Sequence, residues 1–289
     1  MSANNSDQAI LLIHCPDKIG LITVITQFIG QNAGNIVDLD EHVDAHNEMF
    51  FCRICWELEG FLIPREAIGR AFEESIGSKY QMTWKLHFSD QVPKMALMVS
   101  KSTHCLYDIL SRQISPDWEF EISCIISNHR SSEHIAQQFG IPFHHFEVNR
   151  SNKEEVEEQQ KTLFDQYEVD FVVLARYMQI LSADFIKKYP NQIINIHHSF
   201  LPAFPGAKPY HQAFERGVKI IGATSHYVTE DLDAGPIIEQ DVVKISHKDS
   251  VADLIRKGQD LEKIVLSRAI WAHINRKVLC LDNKTVVFD

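Results

Sequence analysis

A change of hydrophobic rhythm near residue 90 constrains this chain more than any other feature of its sequence. Before it, apolar residues recur either every second position or at helical spacing. After it come short runs that are apolar throughout. A strand that alternates buries one face of its sheet, whereas a continuous apolar run fits a strand covered on both faces. A chain carrying both needs two domains, and 289 residues are enough to build them.

In the first part, Ala9–Cys15 reads as a short strand. From Gly20 to Gly34, Leu21, Val24, Ile25, Phe28 and Ile29 make one helical stripe, and Gly34 stands where the helix should end. Asn35–Val43 and Met49–Leu58 read as strands joined through Asp44–Asn47; Phe50, Cys52, Ile54, Trp56 and Leu58 share one face of the second. Pro64–Ile76 follows as a helix with proline near its first turn, then Gln81–Phe88 as a strand with Met82, Trp84, Leu86 and Phe88 on one face. The order β-α-β-β-α-β predicts a ferredoxin-like α+β domain over residues 1–88.

Residues 89–94, polar and containing Pro93, read as the linker. Over 95–289, the apolar runs Met95–Val99, Phe120–Ile126 and Phe171–Ala175 alternate with helical segments at His104–Arg112, Ser132–Phe139 and Lys153–Tyr167. This predicts an open, mostly parallel, Rossmann-like α/β sheet with right-handed crossovers. A long helix, Ser250–Lys277, carries Val251, Leu254, Ile255, Leu261, Ile264 and Val265 on one side.

A net charge of −11 argues against a nucleic-acid partner, because phosphates need a basic face. With no basic leader before a long apolar run and no stretch of spanning length, no membrane is expected and the cytoplasm is the expected location. Cys52 and Cys55 form a C-x-x-C, but on a strand residues three apart point to opposite faces. No second pair follows at zinc spacing, so two packed thiols and no metal are expected.

The chemistry concentrates between residues 193 and 240. Asn195, His197 and His198 come where the apolar run Ile193–Ile194 gives out, the position at which parallel sheets set their sites. Asn195 and His197, two apart, face one side while the backbone stays extended. Pro202, Pro205 and Gly206 suggest a rigid loop before a short helix near Tyr210–Gly217. The strand Val218–Val228 then leads to the turn Leu232–Pro236, which contains Asp233. Asp233 alone reads equally as a turn former. A carboxamide, an imidazole and a carboxylate together are what acyl hydrolysis needs: an oxyanion donor, a proton-transfer group, and a base or orienter for water. Of the other histidines, His104, His144 and His145 stand outside this set. His226, on the strand before Asp233, either tunes the site or simply packs.

N-I-H-x-S-x-L-P followed by H-x-V-T-x-x-L-D-x-G-P closely resembles the formyl transferase fold family, which handles 10-formyltetrahydrofolate. The resemblance implies that Asn195, His197 and Asp233 are the catalytic set. It also implies that A-R-Y-M-Q-I-L, with Met178, Gln179, Ile180 and Leu181, lines the pterin pocket, and that Val228 and the loop from Glu230 border the folate ring. The first domain is similar to an ACT domain, on Asp17-Lys18-Ile19-Gly20, the amphipathic helix and Gly34-Asn35-Ile36. An ACT domain ahead of this fold is the architecture of the formyltetrahydrofolate deformylase family. His198 and L-A-R-Y-M-Q-I-L look more like that branch than like the transferases, which commonly have Pro and Arg where this chain has His198 and Gln179.

The resemblance further implies a homo-oligomer, dimer or tetramer, and an amino-acid effector near Asp17, Gly20, Asn35 and Ile36; purely structural pairing is the alternative. The substrate it implies is 10-formyltetrahydrofolate, with no prosthetic group. Glycinamide ribonucleotide transferases of this fold cradle a phosphate on a glycine-rich loop, since backbone amides must approach it closely. Here Ser100–Cys105 holds no glycine, which points to water as the formyl acceptor. A formyl transferase acting on another amine, and an amino-acid sensor with an inactive second domain, stay open at this point.

Overall fold

The structure, a computed structural model, describes residues 7–203 and 209–289, so Pro205 and Gly206 lie outside the described residues. The chain divides into two compact units. One comprises residues up to Val92 together with Asn275–Leu281 and Thr285–Asp289; the other comprises Pro93–Ile274 and Asp282–Lys284. The C-terminal segment, expected within the second domain, therefore groups largely with the first.

The first unit orders its strands β2-β3-β1-β4, from β1 (Gln8–Pro16), β2 (Ile36–Asp44), β3 (Met49–Glu57) and β4 (Thr83–Phe88), with antiparallel neighbours throughout. Helix α1 (Leu21–Gln31) buries Leu21, Ile25, Phe28 and Ile29 in a core shared with Phe50, Cys52, Ile54 and Trp56, as the stripes predicted. The second helical segment is broken. A 3₁₀ turn at Arg65–Ala67 leads to α2 (Ile68–Phe72), a wide π turn at Glu73–Gly77 and α3 (Ser78–Tyr80). Gly69 and Gly77 weaken it as a helix, and the Trp84 indole holds the Glu73 carboxylate at 2.6 Å beside the widened turn. Cys52 faces that core while Cys55 turns to the Gln8 side chain, so the C-x-x-C thiols diverge. Burial pushes the Cys52 thiol up to about 12.

The second unit is a seven-stranded sheet built from β5 (Lys94–Val99), β6 (Glu121–Ser127), β7 (Phe143–His145), β8 (Phe171–Ala175), β9 (Ile193–His197), β10 (Ile220–Tyr227) and β11 (Ile237–Lys244). Their order is β11-β10-β9-β8-β5-β6-β7. Pairing is parallel from β7 to β9 and antiparallel from β9 to β11. The helices are α4 (His104–Gln113), α5 (Glu133–Gln138), α6 (Lys153–Gln166), α7 (Ala183–Lys188), α8 (Pro209–Arg216) and α9 (Val251–Ile274). Strands β5 and β8 are buried almost end to end, which is why their sequences read as unbroken apolar runs. After α9 come β12 (Val278–Leu281) and β13 (Lys284–Val287), which pair with each other. Among the described residues no helix is long and apolar enough to cross a membrane.

Candidate active site

Strand β9 carries Asn195 and His197 inside the strand rather than beyond its end. The antiparallel ladder sets Asn195 directly opposite His226 on β10, and directly opposed side chains in a ladder meet. Asn195 Nδ2 lies 3.2 Å from His226 Nε2. His226 Nδ1 is 2.9 Å from the Tyr227 carbonyl, an acceptor only, so Nδ1 carries the hydrogen and Nε2 accepts from the amide. Burial lowers the His226 pKa and keeps that ring neutral. One amide hydrogen of Asn195 is thereby fixed, and the other is left to face a ligand.

Asp233 reaches the same place from the loop after β10. Gly235 makes the turn possible: a Cβ there would stand 1.9 Å from the Tyr227 carbonyl oxygen. The loop closes with the Tyr227 N–H donating to the Pro236 carbonyl at 2.9 Å. Asp233 itself has φ 55°, a left-handed conformation that Asp tolerates better than most residues. Its Oδ2 lies 3.2 Å from His197 Nδ1 and its Oδ1 lies 3.8 Å from His226 Nε2. The hydrogen bond from His197 is the main cause holding the Asp233 carboxyl below its ordinary value. With Nδ1 turned to the carboxylate, His197 Nε2 is left buried and without a hydrogen-bond partner among the described residues.

These groups open on a cavity of roughly 650 Å³. Met178, Gln179, Ile180, Leu181, Val228 and Glu230 line it, and so do Asn195, His197 and Asp233: the second unit gathers all nine expected residues on one cavity. Met178 and Ile180 are largely exposed, an apolar lip such as a flat aromatic ring would cover. The Met178 N–H donates to Ser100 Oγ at 3.1 Å, which ties that lip to the loop after β5.

The first unit treats its four expected ligand residues differently. The register pairs Pro16 with Met49 and Gln8 with Glu57, and Asn35 bonds Glu57. Asp17 and Gly20 therefore stand at one end of the sheet, and Asn35 and Ile36 at the other. Within one chain they do not meet.

A group the sequence did not single out also lines the cavity. Glu262 on α9 is 1% exposed; Tyr210 donates to its Oε1 at 2.6 Å, and His104 Nε2 and Arg176 Nε lie 2.8 and 3.5 Å from its Oε2. Its only warning in the sequence is an acidic residue amid an apolar helix stripe. His104, Cys105 and Glu262 bring ligand-type atoms within 4.8 Å of one another. Burial pushes the Cys105 thiol well up, away from the thiolate that a metal takes, and both Glu262 oxygens are already engaged, so the trio fits an ion poorly.

A parallel sheet with an antiparallel edge, and an amide, imidazole and carboxylate gathered beside its switch, define an enzyme of the formyl transferase fold. Residues 93–270 match the formyl transferase family. Glycinamide ribonucleotide transformylase 1 from Symbiobacterium toebii shares this part: it is 29% identical, with a TM-score of 0.65, over 71% of this chain and 98% of its own. Two other likenesses run the whole length. The formyltetrahydrofolate deformylase of Synechocystis sp. is 54% identical over 97% of this chain and 98% of its own. The crystal structure of a formyltetrahydrofolate deformylase from Pseudomonas syringae pv. tomato has a TM-score of 0.96 and 43% identity, covering 100% of this chain and 96% of that one. The chain belongs to the formyltetrahydrofolate deformylase family.

Proposed function

We propose that the protein hydrolyses 10-formyltetrahydrofolate to formate and tetrahydrofolate, with Asn195, His197 and Asp233 as the reacting groups. The observation that carries this reading is their convergence, from β9 and a loop 36 positions further on (233 − 197), upon one cavity with an apolar lip. The free amide hydrogen of Asn195 is the donor for the oxygen that turns anionic when water attacks the formyl carbon. The His197–Asp233 pair takes the proton that this water loses and returns a proton to N10 as the C–N10 bond breaks. Water, an oxyanion donor and a proton-transfer pair complete the reaction, so the reading needs no prosthetic group.

Hydrolysis is favoured over transfer because the loop Ser100–Thr103 has no glycine to bring backbone amides up to a phosphate, and the next residue, His104, is turned to Glu262. A cytoplasmic setting agrees with six cysteines that are all free. The first unit presents β2 and β4 as sheet edges, surfaces on which a dimer or tetramer can form. Asp17 with Gly20, or Asn35 with Ile36, is where an amino-acid effector would sit, each pair completed by a second copy.

The test is purified protein with 10-formyltetrahydrofolate and no amine, following both products. Formate and tetrahydrofolate appearing in equal amounts is the expected result. Consumption that requires an added amine would replace this reading by transfer.

A further inference from the structure

Hydrolysis as described leaves the cluster around Glu262 unused. A carboxylate this deep stays charged only if fixed partners compensate for lost water. Burial alone pushes Glu262 up, yet the His104 bond and the Arg176 charge bring it below its ordinary value. The cluster is built rather than incidental. A Cβ on Gly258, one turn before Glu262 on α9, would stand 2.1 Å from the Tyr210 hydroxyl, so that glycine clears the way for Tyr210 to reach the carboxylate.

Arg176 is the odd member. It follows β8 directly and has φ 62°, a conformation that glycine takes freely and other residues adopt at a cost of roughly 1–2 kcal/mol. A non-glycine residue held on such a backbone at a cavity wall points to a function for its side chain. This one turns to Glu262 and lines the cavity beside His198, Tyr210 and Gln259.

The reaction says what that wall faces. The formyl carbon must sit among Asn195, His197 and Asp233, and the lip from Met178 to Leu181 takes the body of the folate. Passing from His197 to His198 (ring centroids 5.3 Å apart) and on to Tyr210 (5.8 Å) leads along the cavity wall to a flank that Arg176 also lines. With the folate body on the lip, that flank is the approach left to a nucleophile bulkier than water in this reading.

We infer that Arg176, braced by Glu262, fills this flank and excludes amines, which makes it the residue that decides between water and an amine as formyl acceptor. The inference rests on hydrolysis at the Asn195, His197 and Asp233 cavity. A protonated amine would in addition meet the guanidinium charge. Once room is made, transfer balances without another reactant. The amine lone pair bonds to the formyl carbon, the C–N10 bond breaks, and the proton lost by the amine ends on N10.

The probe is glycinamide, a small primary amine, added with 10-formyltetrahydrofolate while formate, N-formylglycinamide and tetrahydrofolate are measured together. Wild-type protein should give formate equal to tetrahydrofolate at every amine concentration. The double variant Arg176→Gly with Glu262→Gln opens the flank without stranding a buried charge. It should divert a share of the formyl groups to glycinamide, so that tetrahydrofolate exceeds formate by the N-formylglycinamide formed; small changes of pocket shape shift such a preference on the order of 10- to 200-fold. Arg176→Asn with Glu262→Gln, which also tolerates the left-handed backbone, should do the same. The inference is overturned if a variant that is folded by circular dichroism and binds tetrahydrofolate still yields formate alone. Wild-type protein that formylates glycinamide overturns it with no variant at all. Wild-type protein that releases no formate without amine sinks the hydrolysis reading instead, before any variant is made.

Discussion

Asp233 holds an ionised carboxylate on a left-handed backbone with imidazoles facing both oxygens, and the site depends on each part of that arrangement. Asp233→Asn keeps the shape but gives His197 a neutral partner. It should lower kcat by about 10²–10⁴, the range for a lost acid-base group. Asn195→Ala, which removes the proposed oxyanion donor, should lower it by about 10²–10³. Steady-state formate release, beside tetrahydrofolate binding by fluorescence, measures both; near wild-type turnover in either variant contradicts the assignment. His226 acts one step back, as the acceptor that orients the Asn195 amide. His226→Leu should reduce kcat by up to about 10²-fold with little change in KM, because a misaimed donor is lost mainly in the transition state. His226→Gln, which restores an acceptor, should recover part of that. A fall in KM-weighted binding alone, with no recovery by Gln, would make His226 merely a packing residue. The motif drew attention to Asn195, His197 and Asp233, which do meet on one cavity; the contacts of His226, Arg176 and Glu262 were not legible in it. Their positions depend on a ladder register and on helix-to-helix and loop-to-helix contacts between residues 31 to 158 apart, which local patterns do not encode.

Among the elements, the long helix shows where pattern reading stops. Its apolar stripe includes Ile264, which is 42% exposed, while Glu262 is almost wholly buried. Apolar periodicity cannot register a charged residue that is buried because its partners are distant. The same blindness applies to β7, α7, β11 and the β12–β13 hairpin, which are too short or too polar in alternation to stand out. The pattern at Pro64–Ile76 could not announce a π turn, since that depends on Trp84. Strands with one buried face and strands with two were legible, because period 2 and unbroken apolar runs follow directly from how each sheet is covered. Helix α9 also gives a prediction that runs against local propensity. Replacing an interior helix glycine with alanine ordinarily stabilises by about 0.5–1 kcal/mol. At Gly258 the new methyl would collide with Tyr210, a rigid ring that cannot swing aside like a flexible chain. Gly258→Ala should therefore lower the urea midpoint, by roughly 1–3 kcal/mol of stability as overpacking typically costs. An equal or raised midpoint would mean that Tyr210 is not held against Glu262.

At the scale of the whole molecule, the C-terminal segment returns to the first unit. Leu279 and Phe288 there cover Leu12 and Phe51, on strands β1 and β3. No rhythm near residue 90 could announce this return, because a short segment closing on distant strands leaves no periodic trace. Both units also carry a half-buried histidine held neutral. Burial lowers His87 in the first and His198 in the second from 6.5 to about 4. The sign follows from linkage. Each imidazole takes its proton near 6.5 when unfolded and only near 4 when folded, so the unfolded chain binds more protons in between. Stability is full above 6.5 and is lost as pH falls towards 4, by up to about 3 kcal/mol for each histidine before solvent screening is discounted. His226, also lowered by burial, acts in the same direction, and so does Asp233, lowered chiefly by its His197 bond, at the acid end. Urea titrations at about pH 7.5, 6 and 5 should give midpoints that drop steadily with acid. His87→Asn, remote from the reacting groups in sequence and in a different unit, should flatten that dependence in the unfolding signal of the first unit while leaving kcat for formate release unchanged. Midpoints that hold constant or rise on acidification would mean that these imidazoles are protonated in the folded protein, and that burial has been overcome by partners the present geometry does not supply.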